Sequence, residues 1–351
     1  MCSLKFAYYL VIGVLPLSIF PRSIHRPVDN HIPEITTRWL GETKTYSLKD
    51  SHLDEHALFK KFDKEFLLQH LLPREQIVYR HKPDKSVDGT HLSNLIEELI
   101  VELQNCKEKK TSFKNFIVLK QRDFNARTCS GLIILKFKDY PFVVKLFMET
   151  PQSFVDPFSK GFEASCLFIM GSSTRYLSGF IRIKNLEAIR ERIKTDSYWS
   201  KMLDTPRKWY WQPSQPRWFE VRGTNIGKQK TQVMVLPSVY AIICDEIESD
   251  SSLRLLSHHN RRLAMQLSHF LGNRIDPHID NFMIEKPTGK IILVDTEHFA
   301  TMVGFRKNVE CTGYSSWYCK LCIKFMADKF GRSKNKRRAI HHEPVPEVLL
   351  C

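Results

Sequence analysis

The chain is 351 residues long, 42% hydrophobic and 26% charged, long enough to bury a sizeable core in one large or two ordinary domains and balanced in a way that excludes an intrinsically disordered protein. Its 53 basic and 38 acidic side chains leave a formal net charge of +15, which favours anionic partners such as nucleotides, nucleic acid or acidic lipid without choosing among them. Nine cysteines scattered through apolar contexts such as AIICDEI suit buried thiols in a reducing compartment and argue against a disulfide framework.

The first 26 residues set an apolar stretch, Phe6 to Phe20, between Lys5 and the pair Arg22 and Arg26. That length is short for a membrane span and matches a signal-peptide core, yet no small-x-small cleavage site follows. Two readings stand: a signal or anchor segment that associates the protein with a membrane, or an apolar packing arm or over-long start. Residues 27–53 are polar and aperiodic and read as a linker. Helical spacing then places Leu58, Phe62, Phe66 and His70 on one face with Pro73 as the stop, and Leu92, Leu95, Ile96, Leu99 and Leu103 on another, so that 27–111 forms a linker and helical extension.

From residue 112 the period changes to that of strands. NFIVLK (115–120), GLIILKF (131–137) and PFVVKLF (141–147) predict an antiparallel meander, its last two strands joined by a turn at KDY. DPFSKGFEASCLFIM and NLEAIRERIKTDSYWSKML read as helices. Trp209, Trp211 and Trp218 lie in a Pro-broken stretch expected to be irregular, before strands at WFEVRG and VYAIICDEI. A helix from about 252 to 271 carries Leu256, Leu263, Leu267 and Phe270 on one face. It leads to DPHIDNFMIEKPTGKIILVDTEHF (276–299), which reads as a β-hairpin with polar residues at both lips, and a last helix ends at Gly331. Cys319 and Cys322 lack the second ligand pair that a zinc knuckle requires. The basic run DKFGRSKNKRR leads into a tail, 331–351, that reads as a solvated segment. Nothing in the chain is a specific signal for nucleic acid.

Phosphoryl transfer needs a cation on the nucleotide phosphates, oxygen ligands for magnesium, and a carboxylate to orient the attacking hydroxyl. Lys145 in the middle of an apolar strand, Asp276, Asn281 and Asp295 supply each requirement once. Taken singly, Asp276 and Asn281 are ordinary turn formers. Taken with the order of elements, they resemble the catalytic apparatus of the protein-kinase-like superfamily. The pattern D-x-H-x-x-N, here DPHIDN, is most similar to the loop of aminoglycoside phosphotransferases and choline kinases, and DTE places Glu297 where a protein kinase has Gly. The N-terminal arm also resembles that of chlamydial proteins of this size, a likeness that implies no function.

The superfamily resemblance, which covers about 112–330, implies an α+β, two-lobed kinase-like fold. A small antiparallel sheet lobe (112–250, with inserted helices) would be followed by a compact helical lobe (251–330) and preceded by the helical extension. It implies ATP and Mg²⁺ as cofactors and a hydroxyl acceptor, a small molecule or a protein. Asp276 would be the catalytic base, Lys145 the phosphate-binding cation, Asn281 and Asp295 the magnesium ligands, and Glu163 the helix carboxylate paired with Lys145. Backbone groups from Cys244 to Glu246 would meet the adenine, and His278 either supports the loop or contacts phosphate. Two departures stand out: no Gly-rich loop lies between the first two strands, where QRDFNARTCSG has only Gly131, and Arg274 replaces the His expected before Asp276. The ending DTE favours a compact phosphotransferase over a regulated protein kinase, while the missing Gly-rich loop leaves open a pseudokinase, and the N-terminal segment and basic tail a membrane-tethered binding module. The chain would then reside in the cytoplasm or at a membrane.

Overall fold

The computed structural model describes residues 34–47, 64–153, 179, 181–224, 232–254, 256–271, 275 and 279–297, all within the compact unit Ile32–Cys351. The described residues form a mixed α+β structure with mainly antiparallel sheets. Asp276, His278, Glu163, the apolar N-terminal segment, Cys319, Cys322 and the basic tail lie outside them. No helix among the described residues is long and apolar enough to cross a membrane.

The expected meander is present as β5 (Phe116–Lys120), β7 (Ser130–Phe137) and β8 (Phe142–Met148), with the two-residue strand β6 (Phe124–Asn125) paired to the start of β7. Two later strands, β10 (Lys208–Trp211) and β13 (Val239–Asp245), complete a sheet of order β10-β13-β8-β7-β5. Strand alternation divides the sheet's two faces by chemistry. Val144, Leu146, Ile133, Leu135, Ala241, Ile243 and Trp211 pack with Leu92, Ile96, Leu99 and Leu103 of helix α2 (Gly89–Asn105) into one apolar cluster. Lys145, Tyr240, Cys244 and Lys208 belong to the opposite face, where Ile242 stands opposite Lys145 and Lys208 opposite Cys244.

Helix α2 starts where Asp88 accepts a hydrogen bond from the His91 amide at 2.9 Å, an N-cap that satisfies one of the helix's orphan donors. The extension before it is not simply helical. β1 (Glu34–Trp39) and β2 (Glu42–Ser47) form a hairpin where a linker was expected, turned by Leu40 and Gly41 at φ 49° and 85°. β1 pairs with β11 (Trp218–Thr224), which pairs with β12 (Gln232–Pro237). The polar β-branched run Ile35-Thr36-Thr37 fits such a strand, but its partner lies far along the chain and leaves no local period. A second hairpin, β3 (Gln76–Tyr79) and β4 (Lys82–Asp88), precedes α2, and the first predicted helix is represented by α1 (Lys64–Leu68).

Trp209 and Trp211 are strand residues of β10, and Trp218 opens β11, so the stretch expected to be irregular is largely β structure. Helix α3 (Ile181–Lys194) and the short α4 (Trp199–Met202) account for the next predicted helix, and β9 (Leu203–Asp204) follows. A second cluster joins Ile189 and Ile193 of α3 to Ala264 and Leu267 of α5 (His258–Phe270) and to Phe282, Ile291 and Leu293. Helix α5 begins later than expected because Ser257 caps it by accepting from the Asn260 amide. Leu256 therefore stands outside the helix and is 91% exposed, not on its packed face. The strand β14 (Ser249–Ser252) pairs with β15 (Phe282–Glu285), which forms the predicted hairpin with β16 (Ile291–Leu293). A 3₁₀ turn, Ile279–Asn281, leads into β15.

Candidate active site

The hairpin β15–β16 brings two expected site residues to one lip. Its ladder pairs Phe282 with Leu293, and one step further the Val294 amide donates to the Asn281 carbonyl at 2.9 Å. Asn281 and Asp295 are thus neighbours across the end of the hairpin. The third, Lys145, arrives from the sheet: its Nζ lies 2.8 Å from Asp295 Oδ2, a pair 150 residues apart in sequence. The Lys145 side chain is 9% exposed and that of Asp295 21%, so the pair is largely buried with the carboxylate in partial contact with solvent.

Every residue from Val294 to Glu297 is tied down. Arg182, in the first turn of α3, donates from Nε to Asp295 Oδ1 at 3.0 Å and from Nη2 to Glu297 Oε2 at 2.6 Å. The Thr296 hydroxyl donates to the Arg182 carbonyl at 2.7 Å and accepts from Lys208 Nζ at 2.8 Å. Lys208 Nζ also donates to the Val294 carbonyl at 3.1 Å, Asn185 Nδ2 to the Thr296 carbonyl at 2.8 Å, and the Glu297 amide to Asp295 Oδ1 at 3.1 Å.

Burial and the neighbouring charges shift Asp295, Lys208 and Arg182. Burial opposes ionisation of Asp295, but Arg182, Lys145 and Lys208 outweigh it and hold its carboxyl well below the usual range. Burial disfavours the charged form of Lys208, and Lys145 adds repulsion, so its ammonium is lowered to about 7. Arg182 also loses hydration, yet Asp295 and Glu297 raise its affinity for the proton above the ordinary value. On the same sheet face burial pushes the Tyr240 hydroxyl well up. At the end of β8 burial raises Glu149 to about 8, against the hydrogen bond it accepts from Ser153.

The hinge expectation finds a partly committed backbone. The Asp245 amide donates to the Arg207 carbonyl at 3.3 Å and the Glu246 amide to the Pro141 carbonyl at 2.8 Å. The Glu246 side chain pairs with Lys136 at 2.5 Å, and the buried Cys244 thiol points to the Val143 carbonyl at 3.7 Å. Asp245 is clamped by Arg207, whose Nη2 reaches Oδ1 at 2.7 Å. These N–H groups are therefore engaged within the sheet.

Arg182, Lys208, Thr296 and Asn185 were not singled out from the sequence. Arg182 carried a readable signal: with Leu186, Ile189 and Ile193 it follows the 4-3-4 spacing of α3's buried stripe, where a charge requires a partner. Lys208 lies in KWYW among aromatics, the same kind of signal in a strand.

A magnesium ion needs one or two carboxylates with phosphate and water completing its shell. The Asp295 carboxylate is engaged on both oxygens, Oδ1 accepting from Arg182 and the Glu297 amide and Oδ2 from Lys145. Asn281 lies at the same lip of the hairpin. Among the described residues no group of three or more His, Cys, Asp or Glu side chains is placed to hold a metal ion. No family model, curated protein or solved structure matches the chain.

Proposed function

We propose that the protein is an ATP- and Mg²⁺-dependent phosphotransferase of two-lobed, kinase-like architecture that acts on a hydroxyl acceptor. The observation that carries the reading is the 2.8 Å contact of Lys145 with Asp295, formed at the lip that also holds Asn281. A strand lysine, a strand ending at Asp245, a helix and an Asn–Asp hairpin follow one another in the described residues, while the helix of Glu163, which the resemblance places between the first two, lies outside them. Lys145 binds the nucleotide phosphates, and Asn281 and Asp295 present oxygens to magnesium. Asp276 orients the acceptor hydroxyl and takes its proton as the new O–P bond forms and ADP departs. Bound magnesium supplies charge neutralisation for the transferring phosphoryl group.

A second reading, a nucleotide-binding module without turnover, is favoured by Arg182. Here Lys145 and Arg182 both hold Asp295, whereas the resemblance expects Lys145 to pair with a helix carboxylate.

Release of ADP from ATP in the presence of hydroxyl acceptors separates the two. The phosphotransferase reading expects turnover that falls by roughly 10²-fold or more in Asp276→Asn, the usual contribution of a general base, with nucleotide binding retained. Equal ADP release by wild type and Asp276→Asn, with both binding nucleotide, would assign the site to binding alone.

A further inference from the structure

A cavity of about 470 Å³ opens beside the C-terminus of α2, the helix whose apolar cluster covers the sheet face opposite to Lys145. Two short segments build it: residues 107–109, which follow α2, and residues 124–127, which run from β6 into the turn before β7. Phe124 and Ala126 belong to the α2 cluster and form the floor. Lys107, Lys109 and Arg127, all exposed, line it with Asn125 and one carboxylate, Glu108.

Both segments are held in place before any ligand arrives. The Glu108 carbonyl accepts from the Cys106 thiol at 3.1 Å, and Asn125 Oδ1 accepts from the Arg127 amide at 3.0 Å and the Thr128 amide at 3.5 Å, an Asx turn that sets where Arg127 leaves the chain. The side chains of Lys107, Lys109 and Arg127 make no hydrogen bond or ion pair among the described residues, not even with Glu108. Nearby Lys114 and Lys136, by contrast, are paired with Glu98 and Glu246. Lysines just past a helix favour its carbonyl end, which accounts for Lys107 and Lys109. It does not account for Arg127, which comes from the other segment.

We propose that this cavity binds a small soluble phosphate monoester, its phosphate held by Lys107, Lys109 and Arg127 and its apolar group laid over Phe124 and Ala126. The planar fork of an arginine matches two phosphate oxygens at once, and the lysines add point charge. Asn125 turns its amide oxygen to the backbone and keeps Nδ2 as a further donor. The volume falls within the roughly 300–1,000 Å³ of small-ligand sites and exceeds what inorganic phosphate fills, which favours an ester over the free ion. The site is separate from Lys145 and does not depend on the phosphotransferase reading.

The test is titration of the full chain with phenyl phosphate, read by saturation-transfer difference NMR, with inorganic phosphate as competitor and near-UV circular dichroism to verify folding. Arg127→Glu and Lys109→Glu are each expected to weaken binding by about tenfold or more, the usual weight of a charge-assisted hydrogen bond. Lys201→Glu makes the same change of net charge on the exposed face of α4 and should leave binding unchanged. Equal weakening by all three variants would assign the effect to the general field of the protein and overturn the proposal, as would unchanged binding in Arg127→Glu and Lys109→Glu. Inorganic phosphate that displaces phenyl phosphate at equal concentration would overturn the ester and leave an anion site only. Absence of phenyl phosphate binding by wild type also overturns it; binding to phosphatidic acid vesicles in that case would assign the cations to a membrane surface instead.

Discussion

Lys145 and Asp295 meet at 2.8 Å across 150 residues of chain, joining the central strand of a sheet to the end of a hairpin in the second core cluster. The contact is one edge of a buried network in which Asp295 is shared with Arg182. Removing the carboxylate therefore strands two cations that have lost much of their hydration.

Asp295→Ala is expected to lower unfolding free energy by about 3–5 kcal/mol at neutral pH, the usual consequence of breaking a buried ion pair on one side. The partial exposure of Asp295 places the effect toward the lower end. Because the carboxyl is held well below its ordinary value of 3.8, its contribution is present above that pH and is lost as pH falls through the depressed value. Urea unfolding from pH 7 downward checks both points; a variant as stable as wild type at pH 7 would show that the network is not buried as described.

Glu149 titrates in the opposite sense. Its carboxyl rises from 4.5 to about 8 on folding, so between these values the native state binds more protons than the unfolded chain. Stability from this group is complete below pH 4.5 and declines as pH rises through about 8. Glu149→Gln should flatten that decline, a difference on the order of a few kcal/mol between pH 5 and 8, measurable by denaturant midpoints at fixed slope. An unchanged pH profile would contradict the burial of this carboxyl.

Lys208 supplies a limb of opposite slope. With its ammonium lowered from 10.5 to about 7, the unfolded chain binds more protons between these values, and stability rises with pH across that window. The burial penalty is fully present below pH 7. In Lys208→Met the rise should vanish, while loss of the bonds to Thr296 and Val294 lowers stability at alkaline pH. A rise of undiminished size in the variant would assign it to another group.

Gly89 tests packing rather than charge. Alanine at the first residue of α2 should help by propensity, yet a Cβ there would stand 1.8 Å from the Pro73 carbonyl oxygen. Gly89→Ala is expected to destabilise by more than about 1 kcal/mol, read from thermal or urea unfolding; a gain in stability would show that the Pro73–Glu75 segment can shift away.

The parts of this architecture that were legible in the sequence are those with a local period. The meander from Phe116 to Met148, helix α2 and the β15–β16 hairpin follow from strand alternation, helical spacing and a Gly-containing turn. The β1–β2 hairpin was not legible, because Ile35-Thr36-Thr37 gains its meaning from β11, which it meets only in the fold. The same holds for the site. Lys145, Asn281 and Asp295 could be named from residue type and order. The grip of Arg182 on Asp295 and Glu297 required knowing which turn of α3 faces the end of β16, and no spacing along the chain encodes that.

The central claim, that Lys145, Asn281 and Asp295 form a magnesium–nucleotide site, is tested most directly by thermal and chemical unfolding with and without ATP and Mg²⁺. At nucleotide concentrations about 100 times the dissociation constant, wild type should gain about 2.7 kcal/mol. The gain should disappear in Lys145→Met and Asp295→Ala. Wild-type protein that shows no stabilisation at millimolar ATP and Mg²⁺ would contradict the claim.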